Sequence, residues 1–531
     1  MKKLSEKRKK WIERTVENDR SYKVLLYNRF FMIALAVLAQ MVGYALLVWL
    51  LVYRSEYALI LQVAVFVLEI VFVLHILNEY ERGSMKLSWI IVILIAPVFG
   101  VPTYLFNGRG RPTRKMRKKI QSVKLINDEK WKAYEPERET IATAGTVSYY
   151  LETYGHYPAY TDGDVEYFAS GEKIFPKMLE ALREAKEYIF LEYFIIAHGK
   201  MWNEILKILL EKAMLGVKVR IIYDDFGCIM TLPPNYAQYL ESLNENIQCL
   251  SFNEVVPFFA VRMNNRDHRK MLIIDGKTAF TGGFNLADEY INEKRRFGYW
   301  KDSGLKITGG AVQSFTRMFL YLWNAFKRAN DDILQFFPSN TVENTRESKE
   351  EYCIQPYDDC PLDKLSVGET VYADILNRAK DYVYIFTPYL VLDDTLRTAL
   401  CQASMRGVDV RIVTPGIPDK KMTYRLTRAN YAILLKAGVR IYEYNGGFIH
   451  AKSMVSDGAC AVVGTINLDY RSLYHHFENA VYFTKRSAVE DVRRDAEETF
   501  ALSFERTKEN FKRGVFGRLV DSLLRVFETL M

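Results

Sequence analysis

His268-Arg-Lys270, with Asp275 five residues further on and Gly282-Gly283-Phe-Asn285 after it, recurs as His450-Ala-Lys452, Asp457 and Gly464-Thr465-Ile-Asn467, every position displaced by 182 residues. A histidine and a lysine two residues apart share one face of an extended segment, because strand side chains alternate from face to face. That face presents a nucleophile or acid beside a fixed positive charge. Asn285 and Asn467 add neutral donors suited to phosphoryl oxygens, and the glycines let backbone approach a ligand closely. Two such sets can surround one phosphodiester, with two lysines and two asparagines meeting the charge that spreads over its equatorial oxygens. One imidazole attacks phosphorus and the other protonates the departing alkoxide. Lysine supplies the cation, so the design requires no metal and no organic cofactor.

Four carboxylates accompany the two sets. Asp275 and Asp457 stand among the catalytic candidates as possible bases, although their spacing after each lysine fits an ion pair or a strand-end contact better. Asp302, after the first tail, and Glu478, after the second, are candidates to orient the histidines, since a carboxylate on one ring nitrogen leaves the other for phosphorus. The adjacent His475 and His476 point in different directions in either a helix or a strand. They read as polar structural residues, or one of them as part of the lining of a lipid site.

The doubled pattern resembles the phospholipase D superfamily with its paired HKD motifs. Residues 264–270 (Asn-Asn-Arg-Asp-His-Arg-Lys), 298–302 (Gly-Tyr-Trp-Lys-Asp), 447–452 (Gly-Phe-Ile-His-Ala-Lys) and 467–473 (Asn-Leu-Asp-Tyr-Arg-Ser-Leu) are similar to its bacterial cardiolipin synthase branch in particular. The resemblance covers nearly the whole chain. It implies two α/β repeats building one pseudo-two-fold site and a transphosphatidylation in which two phosphatidylglycerols become cardiolipin and glycerol through a phosphohistidine. It also implies that the first copy, His268, attacks. Gly283 departs from the branch, where serine often stands, and a hydroxyl contact to substrate is lost there; Thr465 keeps one in the second copy. Hydrolytic phospholipase D and phosphatidylserine synthase use the same site with another acceptor. A catalytically silent lipid-binding scaffold is the reading from a different class, and intact cassettes in both halves argue against it.

The elements needed to hold such a site are legible on both sides of each cassette. A helical stretch, Phe175 to Ala185, precedes the strand-like Tyr188 to Ile196, and a helix ending at Ala379-Lys380 precedes Tyr382 to Leu390. Each is followed by another helix and then by Gly216 to Ile221 or Gly407 to Ile412. Helix and strand thus alternate, which predicts an α/β fold with a largely buried mixed sheet in each half. The expected organisation is a basic N-terminus over 1–29, a membrane region over 30–106, a basic linker and connector over 107–160, repeats over 161–339 and 352–510 joined by a charged linker at 340–351, and an amphipathic helix over 511–531. That last helix either packs on its own domain or rests on anionic lipid.

Residues 1–29 carry ten Lys or Arg against four acids and residues 107–119 carry seven with none, so the remainder is net acidic although the chain totals +8. The catalytic region is therefore no basic nucleic-acid surface. The expected partners are phosphatidylglycerol and anionic membrane lipids; oligomeric state is not legible. Between the basic flanks lie three apolar runs, Phe30 to Tyr53, Tyr57 to Leu77 and Ser88 to Phe106, the last broken by Pro97, Gly100 and Pro102. Three runs point to three spans, yet the positive-inside rule wants both basic flanks in the cytoplasm and so an even number. The expectation is two full spans, the proline-bearing run entering only partly or lying at the interface, and a multi-pass protein of the cell membrane with a cytoplasmic catalytic domain. The six cysteines are scattered without metal or disulfide spacing and read as buried thiols of a reducing compartment.

Overall fold

The computed structural model describes residues 6–19, 58–79, 82–105, 114–134, 145–255, 265–327, 332–337, 352–362, 365–511, 514–526 and 528–530, with isolated positions between 38 and 49. The expected span Phe30 to Tyr53 falls largely outside the described residues, and the 340–351 linker wholly so.

The first half contains β1 (Asp164–Phe168), β2 (Tyr188–Tyr193), β3 (Lys218–Asp224), β4 (Ile247–Phe252), β5 (Lys270–Ile274), β6 (Thr278–Gly282), β7 (Tyr299–Lys301) and β8 (Gly304–Thr308). All but β7 join one mixed sheet in the order β1-β8-β6-β5-β2-β3-β4. The second half contains β9 (Ile354–Asp359), β10 (Tyr382–Phe386), β11 (Asp409–Pro415), β12 (Arg440–Tyr444), β13 (Gly447–Ile449), β14 (Ser453–Ser456), β15 (Cys460–Gly464), β16 (Glu478–Phe483) and β17 (Ser503–Arg506). Its sheet runs β9-β16-β15-β14-β10-β11-β12, the same order strand for strand, with β17 added at the edge. The parallel strands β2 to β4 and β10 to β12 follow helices, while the cassette strands pair antiparallel. β2 is buried along its whole length, covered on both faces, with its charged residue Glu192 ion-paired to Arg269.

Each cassette strand pair turns on an Asp-Gly dipeptide. Asp275 and Gly276 have φ of 52° and 63°, and Asp457 and Gly458 have 54° and 63°, the left-handed pair required by the tight hairpin turn whose twist matches its strands.

The halves are one body. A single apolar core runs through both, with Met271 and Ile273 of the first and Val383, Val455 and Val463 of the second in the same cluster. β7 and β13 form a parallel ribbon across the interface. The buried Arg269 guanidinium reaches Glu192 at 2.6 Å on β2 and Asp358 at 3.3 Å on β9, tying the two sheets together.

Outside this unit, Ala58–Asn78 is a 21-residue helix long and apolar enough to cross a membrane. The proline-bearing run is not one helix but two, Gly83–Ile95 and Pro97–Thr103. Proline disfavours helical backbone at the residue before it, and Ala96 breaks the helix there with φ −145° and ψ 69°. The chain then folds back on itself: a Cβ on Gly100 would lie 2.6 Å from the Ile93 Cα, and Tyr104 packs edge-on to Trp89 at 5.6 Å. The base of this hairpin is fastened to the second half. Arg82 pairs with Glu369 and Asp393, the Tyr470 hydroxyl donates to Ser84 at 3.0 Å, and Thr529 bonds Ser88 at 2.8 Å. The N-terminal helix Glu6–Asp19 buries Ile12 in the first-half core. The C-terminal helix Val515–Val526 docks through Asp521 on Arg425 at 2.9 Å, leaving Leu519 and Leu523 exposed.

Candidate active site

His268 and His450 meet at the interface of the halves because backbone hydrogen bonds cross it in both directions. The His268 N–H donates to the Phe477 carbonyl at 2.8 Å, and Phe477 N–H to the Arg266 carbonyl at 2.8 Å; His450 N–H donates to Lys301 at 2.7 Å. Each half thereby presents its carboxylate to the other half's histidine. Glu478 accepts from His268 Nδ1 at 2.8 and 2.9 Å, and Asp302 accepts from His450 Nδ1 at 2.8 Å. With Nδ1–H given to a carboxylate, Nε2 of each ring is left for the reacting atoms. Both imidazoles and both carboxylates are buried.

The lysines reach back along their own strands. Lys270 Nζ donates to the His268 carbonyl at 2.7 Å, and Lys452 Nζ does the same to His450 while standing 2.9 Å from its Nδ1. Burial lowers the Lys270 ammonium to about 8 and the Lys452 ammonium to about 7. Burial, reinforced by Lys452, takes His450 down to about 4; burial and then Lys270 hold His268 well below its ordinary value. The imidazoles are thus far from the ordinary histidine range. The orienting carboxylates part company. Against the cost of burial, His450 holds Asp302 below the usual carboxylate range, whereas burial outweighs Lys270 and pushes Glu478 well up.

Around this centre the remaining expected residues have specific tasks. Asn285 accepts from the Ile195 N–H at 3.0 Å and donates to the Tyr290 hydroxyl at 2.7 Å, so its amide also builds the wall beside His450, 5.4 Å from the Tyr290 ring. Asn467 is buried with its carbonyl oxygen unpartnered among the described residues. A side chain at Gly283 would place Cβ 2.1 Å from Asp302 Oδ1; the glycine is room for the orienting carboxylate. Thr465, expected to keep a hydroxyl for substrate, donates that hydroxyl to Glu478 and accepts from the Asn479 N–H at 2.9 Å.

Asp275 and Asp457, offered as possible bases or as strand-end contacts, make strand-end contacts to backbone. Asp275 accepts from the N–H groups of Lys186, Glu187 and Tyr188 at 2.8 Å each. Asp457 does the same for Lys380, Asp381 and Tyr382 at 2.9 to 3.0 Å. They sit at the far end of the cassette strands, roughly 17 Å of extended chain from the lysines at about 3.3 Å per residue. The Asp-Gly pair flanked by apolar residues is the sequence signal that marks such a turn. Asn479 carries no such signal: its amide joins Lys270 N–H at 3.1 Å to the Thr281 hydroxyl at 2.8 Å across the halves. Among the described residues, one group has the proximity to hold a metal ion, His268, His476 and Glu478, with ligand atoms within 4.8 Å of one another. An ion there would compete for the carboxylate that orients His268.

The family described as "Cardiolipin synthase, PLD-like domain" matches residues 178–323 and 372–500, which hold the two cassettes and most strands of the two sheets. The chain belongs to that family. A second family, described as "Phospholipase_D-nuclease N-terminal", matches residues 67–109, the helical hairpin region. A cardiolipin synthase of Alkalihalophilus pseudofirmus is 31% identical over 88% of this chain and 93% of its own. Cardiolipin synthase 2 of Bacillus anthracis is 32% identical over 85% and 88%, and an uncharacterized protein of Streptococcus mutans is 42% identical over 86% and 99%. Among solved structures, the phosphatidylserine synthase of Haemophilus influenzae shares the fold, with a TM-score of 0.53 at 15% identity over 72% of this chain and 97% of that one. Family membership supports a phospholipid phosphatidyltransferase, and the paired histidines between the repeats are the candidate for its site.

Proposed function

We propose that this protein is a membrane-anchored cardiolipin synthase, transferring a phosphatidyl group from one phosphatidylglycerol to another and releasing glycerol. The observation that carries the reading is the reciprocal pairing of His268 with Glu478 and His450 with Asp302 across the two halves. Nε2 of His268 attacks phosphorus, forming the N–P bond as the P–O bond to glycerol breaks, and His450 gives its proton to the departing alkoxide. The acceptor hydroxyl of a second lipid then loses its proton to His450 as its oxygen displaces His268. Lys270 and Lys452 offset the phosphoryl charge. The bound anion also favours a protonated His450, counteracting the burial that keeps it neutral in the free enzyme. Purified protein given phosphatidylglycerol alone produces cardiolipin and free glycerol, and does so in the presence of chelator; phosphatidic acid as the main product at every lipid concentration would show a hydrolase.

The multi-pass arrangement belongs to the same proposal: two full spans and a re-entrant hairpin, with the N-terminus and the catalytic unit both cytoplasmic. Two features support it. Gly83–Ile95, about 20 Å long at ~1.5 Å per residue, is too short for a ~30 Å hydrocarbon core and turns back at Ala96. The helix before the first run packs Ile12 on the catalytic unit, which requires both on one side of any bilayer. Thiol probes at Ser5 and Thr113 in sealed vesicles label from the same face; labelling from opposite faces overturns the topology.

A further inference from the structure

Gly282 on β6 pairs with Gly304, and its counterpart Gly464 on β15 pairs with Ala480. This register equates Asp302 with Glu478, the two orienting carboxylates, and therefore Trp300 with His476. The equivalence holds in space. The Trp300 ring lies 5.5 Å from His450 at 44°, and the His476 ring lies 5.6 Å from His268 at 45°. The fold thus sets one ring beside each histidine at the same spacing and tilt, but of opposite character. Trp300 belongs to an apolar wall with Tyr290 at 4.8 Å and Phe448 at 4.7 Å.

His476 has no such company. Its side chain is 11% exposed, both ring nitrogens are inaccessible, and among the described residues neither has a hydrogen-bond partner. Glu478 Oε1 is 3.7 Å from its Nδ1, and Glu478 is already engaged by His268 and Thr465. An imidazole buried with both nitrogens unsatisfied is costly unless something arrives to meet them.

We infer that His476 is the headgroup-binding residue of this site, its imidazole exchanging hydrogen bonds with a hydroxyl of the lipid headgroup beside His268. The inference rests on the reading that the substrate is a phospholipid with a hydroxylated headgroup. Burial, and then Arg471, His475, Arg266 and Lys270 around it, keep the ring neutral, and a neutral imidazole carries one N–H donor and one lone pair. A hydroxyl can answer either nitrogen, accepting from the N–H or donating to the lone pair, and a headgroup with two hydroxyls can answer both. A phosphoryl oxygen uses only the donor and an ammonium only the acceptor, so the residue selects for an alcohol. The position opposite, Trp300, offers no acceptor, and selection is confined to one side of the phosphodiester.

The test compares two lipids with identical acyl chains, phosphatidylglycerol and phosphatidylpropanol, whose headgroup lacks a free hydroxyl. Headgroup release from each is measured in mixed micelles with the full-length wild type, His476→Phe and His476→Gln. The ratio of kcat/KM between the two lipids is independent of how much of a preparation is active, so a poorly folding variant remains informative. The wild type prefers phosphatidylglycerol about tenfold, the worth of a neutral hydrogen bond. His476→Phe brings the preference to within about twofold, while His476→Gln, which keeps a donor and an acceptor, retains most of it. A wild type without preference, or a preference unchanged in His476→Phe, overturns the proposal. Because release is scored whatever the acceptor, phosphatidic acid in place of cardiolipin refutes the proposed reaction without touching the role of His476. A wild type inert toward both lipids refutes both.

Discussion

Asp302, in the first half, holds Nδ1 of His450, in the second, at 2.8 Å. The carboxylate and the imidazole are 148 residues apart and meet only because β7 and β13 zip the halves together beside them. Removing the charge leaves the imidazole free to take the wrong tautomer. Asp302→Asn should lower kcat on the order of 10^3-fold with little change in KM. Gly283→Ala reaches the same residue sterically, since the new Cβ would press on Asp302 Oδ1. Steady-state kinetics on phosphatidylglycerol check both, and a loss confined to KM would contradict the orienting role.

One histidine without the other should be inactive. His268→Ala and His450→Ala each abolish turnover, and the double variant is no worse than either single one, because the pair acts as a unit. Quenching the wild type with labelled phosphatidylglycerol and mapping the acid-labile adduct by mass spectrometry should find phosphohistidine on His268. An adduct on His450 reverses the roles.

The pH profile should sit low and narrow. His268 and His450 are depressed by burial, His450 to about 4, so the attacking imidazole stays neutral down to well below the ordinary histidine range and the acid limb of kcat/KM lies under pH 6. Free His450 loses the proton it must donate from about pH 4 upward, and Lys452 at about 7 and Lys270 at about 8 keep their charge only below those values, so kcat/KM declines from low pH and falls more steeply between pH 7 and 8 rather than near 10. The substrate's phosphodiester anion favours the protonated forms, and the kcat profile is therefore displaced to higher pH than that of kcat/KM. An alkaline limb near 10 in kcat/KM would rule out buried, depressed lysines.

Asp275→Ala should cost stability rather than chemistry. Three backbone N–H groups lose their acceptor and alanine is placed at a left-handed φ, for about 1–3 kcal/mol. A melting curve shows the loss, and kcat of the folded fraction stays within about twofold of wild type. Asp457→Ala behaves alike, and a kcat collapse in either would restore these aspartates to the chemistry.

Chemistry carried by residue type and spacing is legible in the chain itself. A histidine and a lysine two residues apart, repeated with the same tail, specify a phosphoryl-directed pair, because local backbone geometry alone puts them on one face. The alternation of apolar strands and amphipathic helices likewise predicts two α/β repeats, since burial on both sheet faces leaves its mark on the sequence itself. Pro97 marks a break for the same local reason. What depends on contacts distant along the chain had no such mark. That Glu478 serves His268 and Asp302 serves His450, that Thr465 spends its hydroxyl on Glu478, and that Gly283 is small to admit Asp302 are decided by how the halves dock. The depressed histidines and lysines are decided there too, because desolvation is a property of the assembled interface and not of any segment. His476 is the sharpest instance: beside His475 in sequence it reads as a polar structural residue or as part of the lining of a lipid site, with nothing to choose between the two. Only strand register across the sheets makes it the counterpart of Trp300 and sets it, buried and unpartnered among the described residues, against His268.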